Sequence, residues 1–458
     1  MKRFICAALA SPMIMMGATA CGGGMSAGAP AAGGSPGAHV SASPVASAGA
    51  PPEAGQTASP APKQTIAVIN SFSEQNKRDA FQQWCDKVAL DHPNYTFQIS
   101  YAADDNQYRT LIRTKYSSGS PIDIMSGVPR DFPDMVTAGM LQDLTNAPFI
   151  GNIEPLYLKG ASGASGAIYG VPIDLGLTLV FYNKDIYSRN SLAVPATYKD
   201  FLANCAALRA KGVNPLAMGF KDGWAAGEDF MAECCLILNK NPNFFKDVDG
   251  GVKKFADYPE LKNAMRRSAD RFNTSAGSPF AVGNNAAVQD FATGKAAMFL
   301  TDTRNIAAIR GLNPDGRFGV FALPADAAAD TAARLYVDDS WMIANGTKNM
   351  NAVIDLFNYA TSSEGSANWS KRTGGIPTVK GVTLHNPDAM TSEAIAVKNS
   401  GRVIFTDAQY LPAGRAFDVF FGKFSSDFLK NQGDGIDANI DRLDREYAQA
   451  LDPANPAG

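Results

Sequence analysis

Residues 168–187 read Ile168-Tyr-Gly-Val-Pro-Ile-Asp174-Leu-Gly-Leu-Thr-Leu-Val-Phe-Tyr182-Asn-Lys-Asp-Ile-Tyr187. Gly170 and Pro172 punctuate the start, so Tyr169 to Asp174 is expected to be a stiff, extended, exposed segment. Leu177 to Tyr182 is an apolar, β-prone run of a length suited to a buried strand. Asn183-Lys184-Asp185 then supplies turn chemistry. Asp174 stands at the mouth of a strand that leads into a second unit. Taken alone, the stretch reads equally well as a loop followed by an ordinary core strand.

Tyr169-Gly170-Val171-Pro172-Ile173-Asp174 and Phe181-Tyr182-Asn183-Lys184 resemble the inter-lobe crossing of the extracytoplasmic solute-binding proteins of sugar-type ABC importers, the family that includes maltose-binding protein. The resemblance continues in order along the chain. Pro195-Ala-Thr-Tyr-Lys-Asp-Phe201 is similar to the family's Pro-x-Thr-Trp-x-Glu-Phe. Phe291-Ala-Thr-Gly-Lys-Ala-Ala-Met298 is similar to its Phe-x-x-Gly-Lys-Ala-Ala-Met, and Phe318 to Pro324 to its strand ending in Leu-Pro. Val337-Asp338-Asp339-Ser-Trp-Met-Ile343 resembles a second crossing, and Thr361-Ser-Ser-Glu364 with Gly374-Gly-Ile-Pro-Thr378 continues the match. The resemblance implies a two-lobed α/β fold of the periplasmic-binding-protein type (type II), with mainly parallel sheets, flanking helices and hinge crossings between lobes. It implies capture of a mono- or oligosaccharide and delivery to ABC permease subunits, without catalysis, cofactor or metal, by a monomer. One departure stands out. Where the family carries Gly-Ser-Trp after the Ala-Ala-Met strand, this chain has Thr301-Asp302-Thr303-Arg304, so Arg304 replaces a stacking aromatic and either hydrogen-bonds hydroxyls or meets an acidic group.

At the amino end, Lys2 and Arg3 precede the apolar run Phe4 to Met16, then small residues lead to Cys21. This is a secretory signal over residues 1–20, too short for a membrane span. The Cys after small residues resembles a lipobox, with Ala18 where Leu is usual, so Cys21 is the expected lipidation site and the plainer alternative is cleavage beside an incidental Cys. Residues 22–63 are Gly, Ala, Ser and Pro with almost no charge. Such a segment buries too little apolar surface to offset its ordering entropy. With Cys21 it forms an expected disordered tether, residues 21–63, spanning on the order of 35 Å. The protein is thus expected outside the cytoplasm, anchored to the cell membrane.

The remaining chain of 395 residues is too long for one core and suggests two lobes. From Gln64 onward, strands at Thr65–Asn70, Tyr95–Tyr101 and Ile122–Met125 alternate with helices carrying Phe81, Trp84 and Val88 and then Tyr108, Leu111 and Ile112. That order implies a parallel sheet whose ligands bind beyond the carboxyl ends of its strands. The rule alone points at Ser71 to Glu74 and at Ser126. Lobe one is expected over 64–178 plus 337–372, and lobe two over 179–336 plus 373–458. Residues 405–448 should be largely helical.

Trp224 follows the strand region Gly212 to Ala217 in Lys221-Asp-Gly-Trp224, which reads as a glycine-rich loop. An indole there suits stacking on the C–H face of a sugar, which is also what the resemblance implies; the plainer reading is an edge tryptophan covering a helix. The adjacent carboxylates Asp338 and Asp339 either bind hydroxyls or form a solvated turn, with at least one expected in the cleft. Tyr410 is expected at the rim. The expected ligand-binding set is therefore Ser71, Glu74, Ser126, Asp174, Trp224, Arg304, Asp338, Asp339 and Tyr410, with neither Trp224 nor Asp174 reading as core.

The formal charge of −3, or −5 without Lys2 and Arg3, argues against nucleic acid, which wants a basic face. Phosphate loops, His-Glu-x-x-His and Gly-x-Ser-x-Gly are absent. Cys85, Cys205, Cys234 and Cys235 lie on apolar stripes, so buried thiols are the default; outside the cytoplasm, Cys205 with Cys234 or Cys235 is the best candidate disulfide. Two classes compete with sugar capture: a surface lipoprotein glycosidase using two carboxylates, and a binding protein for a non-sugar polar solute.

Overall fold

The computed structural model describes residues 62–451 apart from 73, 103–104, 164, 410–416 and 432–434. The expected lipidation site Cys21, the tether and Tyr410 lie outside the described residues.

The first sheet begins with β1 (Gln64–Asn70), the Gln75–Asp91 helix, β2 (Tyr95–Tyr101), the Asp105–Ser118 helix and β3 (Ile124–Ser126). β1 pairs in parallel with both β2 and β3, as the alternating pattern requires. β4 (Gly170–Pro172) and β5 (Asp174–Asn183) follow with only Ile173 between them. β4 belongs to the first sheet and β5 to the second, so the chain changes sheet within a single residue. The quoted stretch thus does organise the fold. β5 is buried along nearly its whole length and pairs with four other strands.

Those partners are β7 (Ala296–Asp302), β8 (Phe318–Phe321), β9 (Ala333–Val337) and β11 (Ile376–Pro377), reached after β6 (Asn214–Ala217). β10 (Ser340–Ile343) returns to the first sheet between β3 and β4, and β12 (Val403–Phe405) pairs with β9. The first sheet has the order β2-β1-β3-β10-β4, and the second runs β12-β9-β5-β7-β6 with β8 and β11 also on β5. Parallel pairing is confined to β1 with β2 and β3, β6 with β7, and β9 with β12. All four partners of β5 run antiparallel to it. The reason is topological: a strand that arrives from the other sheet enters from the opposite end. Thr178, the expected last residue of the first lobe, already lies inside β5 opposite Asp302 and Arg334.

The first sheet is backed by a cluster of large aromatics. Phe81 and Trp84 of the Gln75–Asp91 helix meet Trp341 of β10 and Trp369 of the Ser363–Thr373 helix, with Trp84 and Trp369 centroids 4.7 Å apart. Every indole donor in this cluster is satisfied: Trp84 to the Gly365 carbonyl at 3.1 Å, Trp341 to Asn70 at 2.9 Å and Trp369 to Asp174 at 2.6 Å. A buried indole without a partner would cost on the order of 1–3 kcal/mol. Three of the four tryptophans are thereby assigned to the core, and Trp224 stands apart as half-buried.

The second sheet is covered by long helices, among them Tyr198–Ala210, Gly223–Lys240, Glu260–Thr274 and Phe417–Lys430. The Gly223–Lys240 and Phe417–Lys430 helices approach closely: a Cβ on Gly227 would lie 3.1 Å from the Gly422 backbone nitrogen. Gly227 is therefore a helix-packing residue, a Cβ on Gly422 would lie 2.6 Å from the Gly223 carbonyl oxygen, and Trp224 sits in the first turn of a helix rather than in a loop. The four thiols are free and buried, so the expected Cys205 pairing does not form. Burial pushes Cys205 and Cys235 up to about 12. The carboxyl-terminal part is helical at Phe417–Lys430 and Ile436–Leu451, as expected. No helix among the described residues is long and apolar enough to cross a membrane.

Candidate functional site

Between the two sheets, the carboxyl ends of β1, β3, β6 and β7 meet the crossings that carry Asp174 and Asp338-Asp339. Ser71 and Ser126 come together at the end of β1 and β3. The Ser71 amide donates to Ser126 Oγ at 2.9 Å, and the two hydroxyls lie 3.1 Å apart. Ser126 also bonds Tyr108 through its carbonyl and hydroxyl, so in this structure it pins the loop.

Lys77 lies one turn into the Gln75–Asp91 helix and on the same stripe as Phe81, Trp84 and Val88. The stripe buries it, and its ammonium can be kept only by pairing. Nζ lies 3.1 Å from Asp338 Oδ2 and 2.8 Å from Asp339 Oδ2. Asp174, Asp338 and Asp339 bring carboxylate oxygens within 4.8 Å of one another, a spacing a metal ion accepts, and Lys77 supplies the compensating cation.

Asp174 was expected to be an exposed ligand group, and its geometry is different. It is 1% exposed. Oδ1 accepts from the Asp339 amide at 2.9 Å, and Oδ2 accepts from Trp369 Nε1 at 2.6 Å. One side chain thus ties both crossings to the Ser363–Thr373 helix. Burial, reinforced by the nearby Asp338 charge, pushes Asp174 up to about 6 against the pull of Lys77 and the two donors. Asp339 is driven well above the usual carboxylate range by burial. For Asp338 burial acts the same way, but Lys77 and Arg304 outweigh it and hold the group below its ordinary value.

Facing this node, Trp224 and Glu228 occupy successive turns of the Gly223–Lys240 helix, and Arg304 follows β7. Arg304 grips Asp302 bidentately, with Nε donating to Oδ1 at 2.7 Å and Nη2 to Oδ2. Nη2 also reaches the Tyr336 hydroxyl at 2.8 Å and Glu228 Oε1 at 3.5 Å, and Nη1 lies 4.0 Å from Asp338 Oδ1. The guanidinium carbon stands 5.1 Å from the centre of the Trp224 ring. The aromatic absent after β7 is thus replaced by a cation lying on an aromatic from another element. The Tyr336 hydroxyl donates a hydrogen bond to Asp302 Oδ2 at 2.9 Å. Its ring crosses β5 at Gly176, where a Cβ would come within 2.3 Å of it, so only glycine fits. Behind it, Arg334 pairs with Glu228 and lies 4.1 Å from the Tyr336 ring. Glu74 completes the belt from the first-sheet side: despite burial, the Lys77 charge, a bond to its own backbone and then Arg304 hold it below its ordinary value. Trp224, Glu228 and Asp302 also line a narrow hollow with Met218, Phe220 and Asn284.

Of the expected residues, the structure brings Glu74, Asp174, Trp224, Arg304, Asp338 and Asp339 into one connected region, with Ser71 and Ser126 at its first-sheet margin. Sequence reasoning missed Lys77, Glu228, Asp302, Arg334 and Tyr336. Lys77 had a legible signal, a lysine on an otherwise apolar stripe. Glu228 had one too, being four residues after Trp224 on the same helix face.

Residues 79–398 match the model of the bacterial extracellular solute-binding proteins. The chain belongs to that family. It is 21% identical over 391 residues to the multiple sugar-binding protein of Streptococcus mutans, covering 82% of this chain and 89% of that protein. Its fold is similar to that of the solute-binding protein RafE in complex with raffinose, with a TM-score of 0.70 at 17% identity, over 84% of this chain and 98% of that one. It is also similar to a sugar transporter from Bacillus licheniformis in complex with stachyose, with a TM-score of 0.67 at 15% identity, over 85% and 100% of the two chains. Within this family the two-sheet architecture with its crossings is that of a two-lobed solute-binding protein, and these relatives are binding proteins.

Proposed function

We propose that this solute-binding protein captures a carbohydrate outside the cell and delivers it to the membrane subunits of an ABC importer, held at the membrane by a lipid on Cys21. The observation that carries the reading is the half-buried Trp224 beside a belt of carboxylates and guanidinium groups between two sheets. An indole face and hydrogen-bonding charges are the two things a sugar ring needs, for its C–H face and its hydroxyls. Names and bound ligands of the relatives support the same class: a multiple sugar-binding protein, and structures holding raffinose and stachyose. Lobe one is then built on the first sheet and lobe two on the second, closing about Ile173, Asp338-Asp339 and the Gly374-Gly375 link. Ser71, Glu74, Trp224, Arg304 and Asp338 are the groups we assign to ligand contact, while Asp174 and Asp339 hold the crossings together.

A thermal-shift panel of mono- and oligosaccharides tests the reading, because a ligand that binds only the native state raises the melting temperature. A sugar present at 100 times its Kd adds about 2.7 kcal/mol. At least one sugar should do so and be recovered chemically unchanged at stoichiometric saturation. Sustained release of cleaved product, abolished by one carboxylate substitution, would make the protein a glycosidase instead. Cys21→Ala should move the protein from the membrane to the soluble fraction; a wild-type protein already soluble outside the cell would remove the anchor.

A further inference from the structure

The charges of the belt are not distributed evenly between wall and interior. Of its three cations, Lys77 and Arg334 are only 6% and 3% exposed, and from behind the surface Lys77 pairs with Asp338 and Asp339 and Arg334 with Glu228. The groups that still reach solvent are Arg304 at 22%, Glu228 at 12% and Asp338 at 10%, with Glu74 also half-buried. Arg304 is itself saturated by anions: it is bidentate on Asp302, with Glu228 at 3.5 Å and Asp338 at 4.0 Å. A ligand therefore meets three carboxylates and one guanidinium directly, and the belt as a whole sets Glu74, Asp174, Glu228, Asp302, Asp338 and Asp339 against Lys77, Arg304 and Arg334. Independently of charge counting, the Trp224 ring already carries a cation at 5.1 Å, so its face is presented to positive charge within the protein itself.

We propose that the site selects by charge, preferring a saccharide that bears a protonated amino group and rejecting uronic acids and other anionic sugars. The amino group would lie between Glu228, Asp338 and Glu74, adding to the counter-charge that Arg304 supplies at the surface and that Lys77 and Arg334 supply from behind it. An anionic sugar would place a fourth negative charge against that wall, and the guanidinium that would receive it is already engaged. Glu74 and Asp338 are held ionised by Lys77 and Arg304, so the wall keeps its charge at neutral pH. This inference rests on the carbohydrate reading and adds the chemical class of the ligand.

The test is calorimetry on the full-length protein with matched triads of glucose, galactose and mannose derivatives: the neutral sugar, the 2-amino sugar and the uronic acid, as monomers and as β-linked oligomers. At pH 6 the amino member should bind about tenfold more tightly than its neutral partner, and the uronic acid should bind more weakly than either. The amino advantage should shrink when the amine is deprotonated at pH 9, and when salt screens the wall. Glu74→Gln and Glu228→Gln should each narrow the ratio of amino to neutral affinity, with the melting temperature of the unliganded variants reporting that they fold. Neutral sugars that bind as well as their amino partners, or uronic acids that bind as well as either, would overturn the charge selection while leaving carbohydrate capture intact. Failure of every member, charged or neutral, to bind would overturn carbohydrate capture itself and the selection with it.

Discussion

Lys77→Met is the most informative perturbation of this protein. Methionine keeps the length and the apolar stem that packs on the stripe with Phe81 and Trp84, and removes only the ammonium. Asp338 and Asp339, now 3.1 and 2.8 Å from Nζ, would then lie buried beside each other and beside Asp174 without their cation. Breaking a buried pair by deleting one partner costs about 3–5 kcal/mol, because the surviving charge is left uncompensated. With an unfolding entropy of roughly 2.1 cal/mol/K per residue, that is a fall in Tm of about 4–6 °C for a body of this size. Calorimetry at pH 7 and pH 4 gives the discriminating result. In the wild type Asp338 is held below its ordinary value, so its stabilising contribution is present at pH 7 and is lost as pH falls through its folded pKa. Without Lys77 both carboxylates must take up protons to remain buried. The deficit of the variant should therefore be full at pH 7 and smaller at pH 4. Lys77→Met with Asp338→Asn should recover part of the loss. A deficit below about 1 kcal/mol, or a double variant no more stable than the single one, would refute the reasoning.

Trp224→Ala should weaken sugar binding by about 1.5–3 kcal/mol, or ten- to a hundredfold, with little change in unliganded Tm because the ring is half-buried; unchanged calorimetric affinity would remove it from the site. Asp174→Asn should alter the pH profile of stability. Asp174 is raised from its ordinary value to about 6, so its contribution is fully present below about pH 4 and is lost as pH rises toward 6, a swing of about 3 kcal/mol. Relative to that variant the wild type should thus be more stable at pH 4 than at pH 7, and a pH-independent difference would contradict the assignment. In the leaderless Cys21→Ala protein, a thiol reagent should find no reactive cysteine in the native state and four after unfolding; fewer than four would reveal a disulfide.

The fold was legible because the decisive stretch carries the family's crossing pattern, which recurs in order along the chain, and because its local signals agree with that pattern. Gly170-x-Pro172 favours an extended entry, and the short apolar, β-prone run after it suits a buried strand. The structure extends that strand to Asp174–Asn183 and gives it more partners than any other. The direction of those partners was not legible. Local pattern says that a segment is a strand, whereas its sense in the sheet depends on the end from which it enters, and here that is set by crossings far apart in sequence. Trp224 was misplaced for a related reason. Gly223 and Gly227 look like loop residues one at a time, and only the approach of Gly422, almost 200 residues away, makes them a helix contact.

The site divides along the same line. Groups announced by position at strand ends, such as Ser71, Glu74 and Ser126, were found because the rule for open α/β sheets needs no partner information, whereas Arg304 was found as a departure from the family's pattern. Lys77, Asp302, Arg334 and Tyr336 were missed because each acquires its role only from a charge brought in by another element. Asp174 shows how the two kinds of information conflict. As a lone carboxylate at a strand mouth it reads as a ligand group. In the folded chain it accepts a backbone amide from the second crossing and an indole from the Ser363–Thr373 helix. A carboxylate with both oxygens committed to protein donors has little left to offer a sugar hydroxyl, and removing it would loosen the crossings that join the two sheets. Changes at Asp174 are therefore expected to act on stability first and, if the proposed closure holds, on affinity through it, whereas changes at Trp224 are expected to act on affinity alone; comparing the two separates the crossings from the proposed binding surface.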